Sequence, residues 1–149
     1  MTLQKIAVRN FVIEAPQRRV WDLLGPALLN SPIGLEKIDI IDENHIRAEV
    51  HIKFAFLPIT AQLMMIFLEL EEPEKMVVAL NAKALKGLVR LNQRVTFAVN
   101  PQDDKHTEVR CEVLAERHNS LLFRVVAKKA RSSAETTLMG IEETLRRLA

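Results

Sequence analysis

The sequence predicts an α+β domain in which about seven antiparallel strands wrap around one long C-terminal helix. Apolar residues recur at steps of three and four over residues 121–148, which is typical of an amphipathic helix. The middle of the chain instead alternates apolar and polar residues with a period of two, which is typical of strands. Because the connections between these strands are short, antiparallel pairing is favoured. The 149 residues fit a single domain, residues 1–149, without a linker or repeat.

The first elements follow from local signals. Residues 3–13 are predicted as a strand. Pro16 then begins a short helix at a position where its missing N–H costs nothing, and Gly25 ends that helix before Pro26. Residues 27–34 are predicted as a second short helix or turn. The sequence therefore predicts two short helices after the first strand.

Six further strands are predicted before the long helix. The clearest has polar residues such as His45 and Arg47 alternating with apolar residues such as Ile46 and Ala48. Asn119 or Ser120 is the expected N-cap of the final helix. The predicted strands span residues 35–42, 45–56, 59–71, 76–85, 89–99 and 106–116.

Composition and charge exclude several classes of protein. The net charge of +2, from 21 basic and 19 acidic residues, is too small to indicate a nucleic-acid-binding protein. Cys111 is the only cysteine, so no internal disulfide is expected. The N-terminus lacks the apolar region of a signal peptide, and the longest apolar run, residues 63–68, is far below the ~18 residues of a membrane span. We expect a soluble, cytoplasmic protein that could still touch the inner face of the membrane.

Reactive side chains offer little for catalysis. His45 and His51 lie on one strand face but about 20 Å apart, too far to ligate one metal ion. Cys111 is in phase with Val109 and Val113 and is predicted to be a small core residue. No nucleophile elbow, phosphate-binding glycine loop or Cys-x-x-Cys pair is present. The sequence therefore predicts no catalytic residue, no metal site and no cofactor.

The segments that carry a family resemblance are Phe11 and Ile13, Ala15-Pro16, Val20-Trp21, Leu23-Leu24, residues 32–37, residues 71–74 and residues 83–87. With the order of elements, they resemble the START-like (SRPBCC) helix-grip superfamily over essentially the whole chain. Within it, the chain is most similar to the CoxG-like group, whose name comes from a protein of the carbon monoxide dehydrogenase system. The resemblance implies a curved sheet that grips the long helix around a cavity for a hydrophobic ligand.

The resemblance leaves several functions open, since relatives include lipid and sterol carriers, quinone-binding proteins and aromatase/cyclase enzymes. The favoured hypothesis is non-enzymatic binding or transport of a lipid, fatty acid or quinone. The first alternative is an interaction protein that assists a redox enzyme at the membrane, as similarity to the CoxG-like group implies. A cyclase or isomerase is the least favoured.

Candidate lining residues come from the predicted inner faces of strands and helix. Three alanines in the middle of the helix stripe either allow close packing on the sheet or leave room for a ligand. Gln93 shares a face with Val95 and Phe97, where its amide could orient a ligand head or bond a backbone group. The predicted lining comprises Phe54, Phe56, Leu68, Leu70, Gln93, Val95, Phe97, Ala127, Ala130 and Ala134.

Two surfaces are candidates for partners. The strand at residues 59–71 is apolar on both faces, so the face with Leu63, Met65 and Phe67 is predicted to contact a second copy in a homodimer, with plain burial as the alternative. Basic residues near the start of the long helix could meet anionic lipid or an acidic partner, or be ordinary solvated charge. This basic patch comprises Arg124, Lys128, Lys129 and Arg131.

Overall fold

A computed structural model describes residues 3–30, 35–54, 57–116 and 121–149, with the side chains of residues 52–54, 57, 89 and 121–130 outside that description. The described chain forms one sheet with a helix after its first strand and a long helix at its end. The strands are β1 (Leu3–Ile13), β2 (Leu35–Ile40), β3 (His45–Phe54), β4 (Leu57–Glu71), β5 (Lys75–Ala84), β6 (Val89–Pro101) and β7 (Thr107–Glu116). The helices are α1 (Gln17–Leu29) and α2 (Leu121–Leu148).

The seven strands form a single antiparallel sheet in the order β1-β7-β6-β5-β4-β3-β2. Consecutive strands from β2 to β7 are neighbours, and β1 pairs with β7, so β5 lies at the centre of the sheet. Helix α2 packs mainly on β1 and α1. This architecture confirms the predicted fold class, a seven-stranded sheet around a long C-terminal helix.

One continuous helix replaces the two short helices predicted after the first strand. Gly25 and Pro26 lie inside α1, which ends only at Asn30, whose backbone N–H donates to the carbonyl of Pro26. Ala27 and Leu28 are buried, at 0% and 2% exposure. Their burial favours continuing the helix past a Gly-Pro pair that would normally end it, because tertiary packing outweighs local propensity.

The core lies between the inner face of the sheet and the two helices. Four residues of α2 at helical spacing are buried, namely Ala134, Leu138, Ile141 and Leu145. Cys111 is buried beneath them as predicted, and burial, followed by the nearby Glu142 charge, raises the pKa of its thiol to about 12. A thiol in such an environment stays protonated at neutral pH and is unsuited to nucleophilic chemistry.

Polar contacts fix the helices at the end of the sheet where β1 enters α1. The buried hydroxyl of Thr107 donates to the carbonyl of Ala15 over 2.7 Å. The side-chain amide of Gln17 donates to the carbonyl of Val99, which joins the start of α1 to β6. Arg19 donates to the carbonyl of Leu148, which joins α1 to the end of α2. We call this the closed end of the sheet.

A charged cluster holds α2 against β1. The Glu142 carboxylate accepts hydrogen bonds from Arg9 Nε at 2.6 Å and from Arg146 Nε at 2.9 Å. Arg146 also donates to the carbonyl of Val12. Partial burial alone would raise the pKa of Glu142, but the hydrogen bonds from the two arginines outweigh it, so the pKa lies below its ordinary value.

Replacing Glu142 with Gln should therefore lower stability in a pH-dependent way. A carboxyl whose pKa is depressed by folding contributes stability above its unfolded-state pKa of about 4.3 and loses it as the pH falls through the folded-state value. We expect Glu142→Gln to cost about 1 kcal/mol at pH 7, because both arginines are more than a third exposed. The difference from the parent protein should shrink toward zero in acid.

Urea unfolding from pH 7 to pH 3 measures this effect, and Glu143→Gln, an exposed change on the same helix, is the matched control. Other carboxyls with lowered pKa values, such as Asp42 and Asp103, are present in both proteins and cancel in the comparison. A Glu142→Gln cost that stays constant down to pH 3 would show that the charge on Glu142 is not what stabilises the helix.

Candidate ligand-binding site

The inner face of the sheet is packed tightly at the closed end. Val95, Phe97 and Val99 of β6 alternate inward and are 3%, 0% and 0% exposed. Their cross-strand partners Val109 and Cys111 on β7 are 0% exposed as well. At this end, α1 and the second half of α2 fill the concave side of the sheet and leave no room for a guest beside these residues.

Toward the opposite end, the inner face is only half-buried. Gln93 continues the inward alternation of β6 and pairs with Leu80 on one side and Ala115 on the other. The next inward pair is Leu91 with Ala82. Gln93, Ala115, Leu91 and Ala82 all keep part of their surface accessible to solvent. We call these four residues the open inner face.

The position of the open inner face shows why this exposure matters. Ala82 is paired with Leu63 on β4 and Leu91 on β6, and Gln93 is paired with Leu80 on β5 and Ala115 on β7, so neither is exposed through a missing neighbouring strand. An inward residue such as Ala82 can reach solvent only if the elements over the concave side do not pack against it. The sheet therefore borders an accessible concave space here, lined in its described part by apolar side chains and one amide.

The Gln93 amide is the only hydrogen-bonding side chain of the open inner face. Within the described part of the chain, the Gln93 side chain makes no hydrogen bond. A primary amide both donates and accepts, so it can pair with a carboxylate, an ester carbonyl or a quinone oxygen. A half-buried amide without a protein partner favours an arrangement in which a ligand supplies one.

The structure places the predicted lining residues in three different environments. Gln93 lies on the open inner face, where contact with a ligand remains a prediction. Val95, Phe97 and Ala134 belong to the packed core, at 3%, 0% and 5% exposure, which corrects their prediction as lining. The side chains of Phe54, Ala127 and Ala130, and the whole of Phe56, lie outside the described residues.

Leu68 and Leu70 were predicted as lining, and the structure corrects both. They are 46% and 49% exposed, near the closed end of the sheet. Leu68 is an extra residue in β4, because Phe67 pairs with Val78 but Glu69 pairs with Val77. The bulge reverses the phase of the strand, so Leu70 pairs with the inward residue Met76, but it lies at the end of β4 and not at the open inner face.

The predicted dimer face of β4 is also corrected. Leu63 and Met65 are 7% and 0% exposed, and Phe67 packs against the core. This is the inner face of the strand, because Met65 pairs with the inward residues Ile46 and Leu80. Plain burial, the alternative for these three residues, is what the structure shows.

The predicted basic patch is described only in part. Arg131 is exposed on α2. The side chains of Arg124, Lys128 and Lys129 lie outside the described residues, so contact of this patch with a lipid or protein remains a prediction.

The three described histidines form surface pairs with carboxylates. His45 bonds Asp42 at 2.8 Å, His51 bonds Glu36 at 2.8 Å, and His106 bonds Asp103 at 2.9 Å. Across the described residues, no group of three or more His, Cys, Asp or Glu side chains could hold a metal ion. Nor does this part of the chain include a helix long and apolar enough to cross a membrane.

Sequence reasoning missed three of the four open-face residues. Leu91 was in phase with Gln93, but nothing in the pattern separated it from the packed residues further along β6. Ala82 and Ala115 acquire their place through cross-strand pairing with Leu91 and Gln93. The signal that could have found them is the small size of Ala82 and Ala115, which lie opposite Leu91 and Gln93 on the neighbouring strands.

No family model matches the chain, and no curated protein is significantly similar to it. Solved structures are similar in fold at low sequence identity. A START superfamily protein from Mycobacterium smegmatis has a TM-score of 0.67 at 12% identity, covering 96% of this chain and 98% of its own. Truncated norcoclaurine synthase from Thalictrum flavum has a TM-score of 0.68 at 14% identity, covering 99% and 93%.

A third similar structure is the Zhui aromatase/cyclase from Streptomyces, with a TM-score of 0.59 at 13% identity over 99% of this chain and 97% of that one. These likenesses establish that the chain has the helix-grip fold of START-like and cyclase-like proteins. At such identities they establish the fold alone, because this fold carries both binding proteins and enzymes.

Proposed function

We propose that this protein binds a hydrophobic small molecule, such as a fatty acid, lipid or quinone, between the open inner face and the first half of α2. The observation that supports this most strongly is the accessibility of Ala82 and Gln93, each of which has a paired strand on both sides. An apolar guest that covers such surface gains about 25 cal/mol for each Å² removed from water. Small-molecule sites commonly combine apolar walls with one or two polar groups that fix orientation.

Gln93 is the group proposed to fix orientation. It lies where the packed core ends and the open inner face begins, so the ligand's polar head would sit deep in the space and its apolar part would extend toward Leu91. A ligand with a single polar head and an apolar body fits this arrangement. The ligand class follows from this pairing of one amide with apolar neighbours.

We further propose that the function is non-enzymatic. Two similar structures are named as a synthase and an aromatase/cyclase, so the fold accommodates catalysis. In this chain, the described open inner face offers one amide and three apolar residues, which supply neither a general acid nor a general base near neutral pH. Glu142, the inward carboxylate of α2, is held by Arg9 and Arg146 away from this region.

A second candidate is the recruitment role implied by similarity to the CoxG-like group. The observation that favours it is apolar surface outside the core on β2 and just after it, where Ile38, Ile40 and Ile41 are 44%, 68% and 45% exposed. In this role the protein would dock on a redox enzyme at the membrane. Ligand binding and docking are separable, because the two surfaces share no residue.

The role of Gln93 is tested by Gln93→Leu. We expect this variant to bind the fluorescent fatty acid cis-parinaric acid about tenfold more weakly, since it loses one hydrogen bond to a charged head of about 1.5 kcal/mol. Binding of the methyl ester of the same probe should change less, because its head accepts a weaker hydrogen bond. Fluorescence titration measures both affinities.

The matched control is Gln62→Leu, which makes the same change on an exposed position of β4. It should leave both affinities unchanged. Equal probe affinities of Gln93→Leu and Gln62→Leu would show that Gln93 does not contact the ligand. If the parent protein did not bind the probe at all, the proposed ligand-binding site itself would be contradicted.

A further inference from the structure

The connection between β5 and β6 exposes two leucines at its tip. This hairpin tip comprises residues 85–88, of which Leu85–Gly87 form a 3-10 turn. Leu88 is 81% exposed, the largest value among the exposed large hydrophobic residues of the described chain, and Leu85 is 51% exposed. The Leu88 N–H donates to the Leu85 carbonyl at 3.1 Å, so a hydrogen-bonded turn presents both side chains to solvent.

The backbone of the tip is strained in a way that favours a function. Leu85, Lys86 and Gly87 have φ values of 53°, 57° and 87°. Only glycine adopts this region without steric cost, so Leu85 and Lys86 are strained there. A leucine that is both strained and exposed contributes nothing to folding that a glycine or asparagine would not supply better. Such outliers often mark functional positions.

Positive charge surrounds the two leucines. Lys83 and Arg90 are direct cross-strand partners at the base of the tip, and Lys86 lies within it. In the described part of the chain, neither lysine contacts a carboxylate, and Arg90 donates only to the Gly87 carbonyl, at 3.4 Å. Like charges placed opposite each other on paired strands repel, so an anionic partner would relieve them.

We propose that the hairpin tip docks on an anionic lipid surface, with Leu85 and Leu88 entering the acyl boundary and the three cations meeting lipid headgroups. Exposed leucines bordered by lysines and arginines are the composition of elements that lie in a membrane interface. Two leucines cover far less than the roughly 800 Å² per partner of a stable protein interface. A second copy would oppose like charges at the contact. An anionic lipid surface is the partner that matches both the small apolar area and the positive charge of the hairpin tip.

Docking would also orient the protein. The tip follows Ala82 by three residues and precedes Leu91 by three, so it lies at the same end of the sheet as the open inner face. The bilayer would then lie next to the concave space. The inference rests on the tip itself and does not require the proposed ligand.

Vesicle co-sedimentation tests this inference. The full chain should bind vesicles of phosphatidylglycerol and phosphatidylcholine, and bind phosphatidylcholine vesicles less. Leu88→Ser should weaken binding about tenfold or more, since it removes the exposed apolar group. Lys83→Gln and Lys86→Gln should each weaken it about fivefold, an effect that disappears at high salt.

Two comparisons separate docking from damage to the fold. Leu85→Gly relieves the positive φ, so it should weaken vesicle binding without lowering the melting temperature. Met139→Ser, at a position 46% exposed on α2, and Lys105→Gln, an exposed change in the β6–β7 turn, should leave binding unchanged.

Three results would overturn the inference: no binding of the parent protein to anionic vesicles, equal loss in Leu88→Ser and Met139→Ser, or a Leu88→Ser change that abolishes self-association but not vesicle binding. The Ala82→Trp variant keeps the two proposals distinguishable. It changes the open inner face only and should bind vesicles like the parent protein, whether or not a ligand occupies the space.

Discussion

Ala82→Trp should abolish binding of an apolar probe while leaving the protein folded. The indole would project from the centre of the sheet into the space beside Leu91 and Gln93, where the ligand is proposed to lie. Overlap with a guest costs up to about 3 kcal/mol, so the affinity for cis-parinaric acid should fall by about 100-fold. Because the indole buries apolar surface in accessible space, the free energy of unfolding should stay constant or rise by about 1–2 kcal/mol.

Ala79→Trp is the matched control for this substitution. Ala79 lies on the same strand, is also half-buried, and faces the other side of the sheet, paired with Ile66 and Arg94. Its probe affinity should equal that of the parent protein. If instead Ala82→Trp destabilises the fold by about 1–3 kcal/mol, as expected for overpacking a filled core, the concave space beside Leu91 does not exist.

Ile141→Ala should produce the largest loss of stability among single changes in α2. Ile141 is 0% exposed, in the half of the helix that packs on β1 and α1. Truncating a buried isoleucine to alanine costs about 2–5 kcal/mol, through lost burial and the cavity left behind. For a domain of this size the melting temperature should fall by roughly 5–15 °C, measured by calorimetry or circular dichroism.

Met139→Ala provides the comparison for Ile141→Ala. Met139 is 46% exposed on the same helix, and alanine is an equally good helix former, so its effect should stay within about 0.5 kcal/mol. Similar losses in the two variants would mean that α2 is not anchored through Ile141. Anchoring matters for the proposed function, because the ligand is proposed to lie between the open inner face and the first half of α2.

Much of the fold could be predicted from local sequence patterns. Helix α2 and strand β1 have the bounds predicted from the spacing of their apolar residues, because neither contains a break in that spacing. The α1 region was harder, because Gly25-Pro26 is a strong local stop signal. The burial of Ala27 and Leu28 that keeps the helix intact exists only in the folded protein.

The candidate site was less predictable, for two physical reasons. Side-chain direction in β4 depends on one extra residue, Leu68, and such a bulge has no sequence signature in an apolar run. Whether an inward residue is packed or accessible depends on what lies across from it. Phe97 and Leu91 have the same phase on β6, and only the placement of α1 and α2 makes one core and the other open.

The exposure of the two leucines in the hairpin tip could not be predicted from the sequence either. Lys86-Gly87 predicts a turn, but the sequence does not indicate that Leu85 and Leu88 on either side stay outside the core. The turn has three consecutive positive φ values, of which only the one at Gly87 is expected from residue type.

Native mass spectrometry can detect directly whether the protein holds an apolar molecule. The protein should be measured as purified, then after organic extraction and reloading with palmitic acid, a phospholipid or a quinone, with Ala82→Trp in parallel. We expect a one-to-one complex of the parent protein with an apolar molecule, lost on denaturation and absent in Ala82→Trp. A parent protein that appears only at its bare mass and takes up none of the three, or equal uptake by Ala82→Trp, would contradict a ligand in the space beside Leu91 and Gln93.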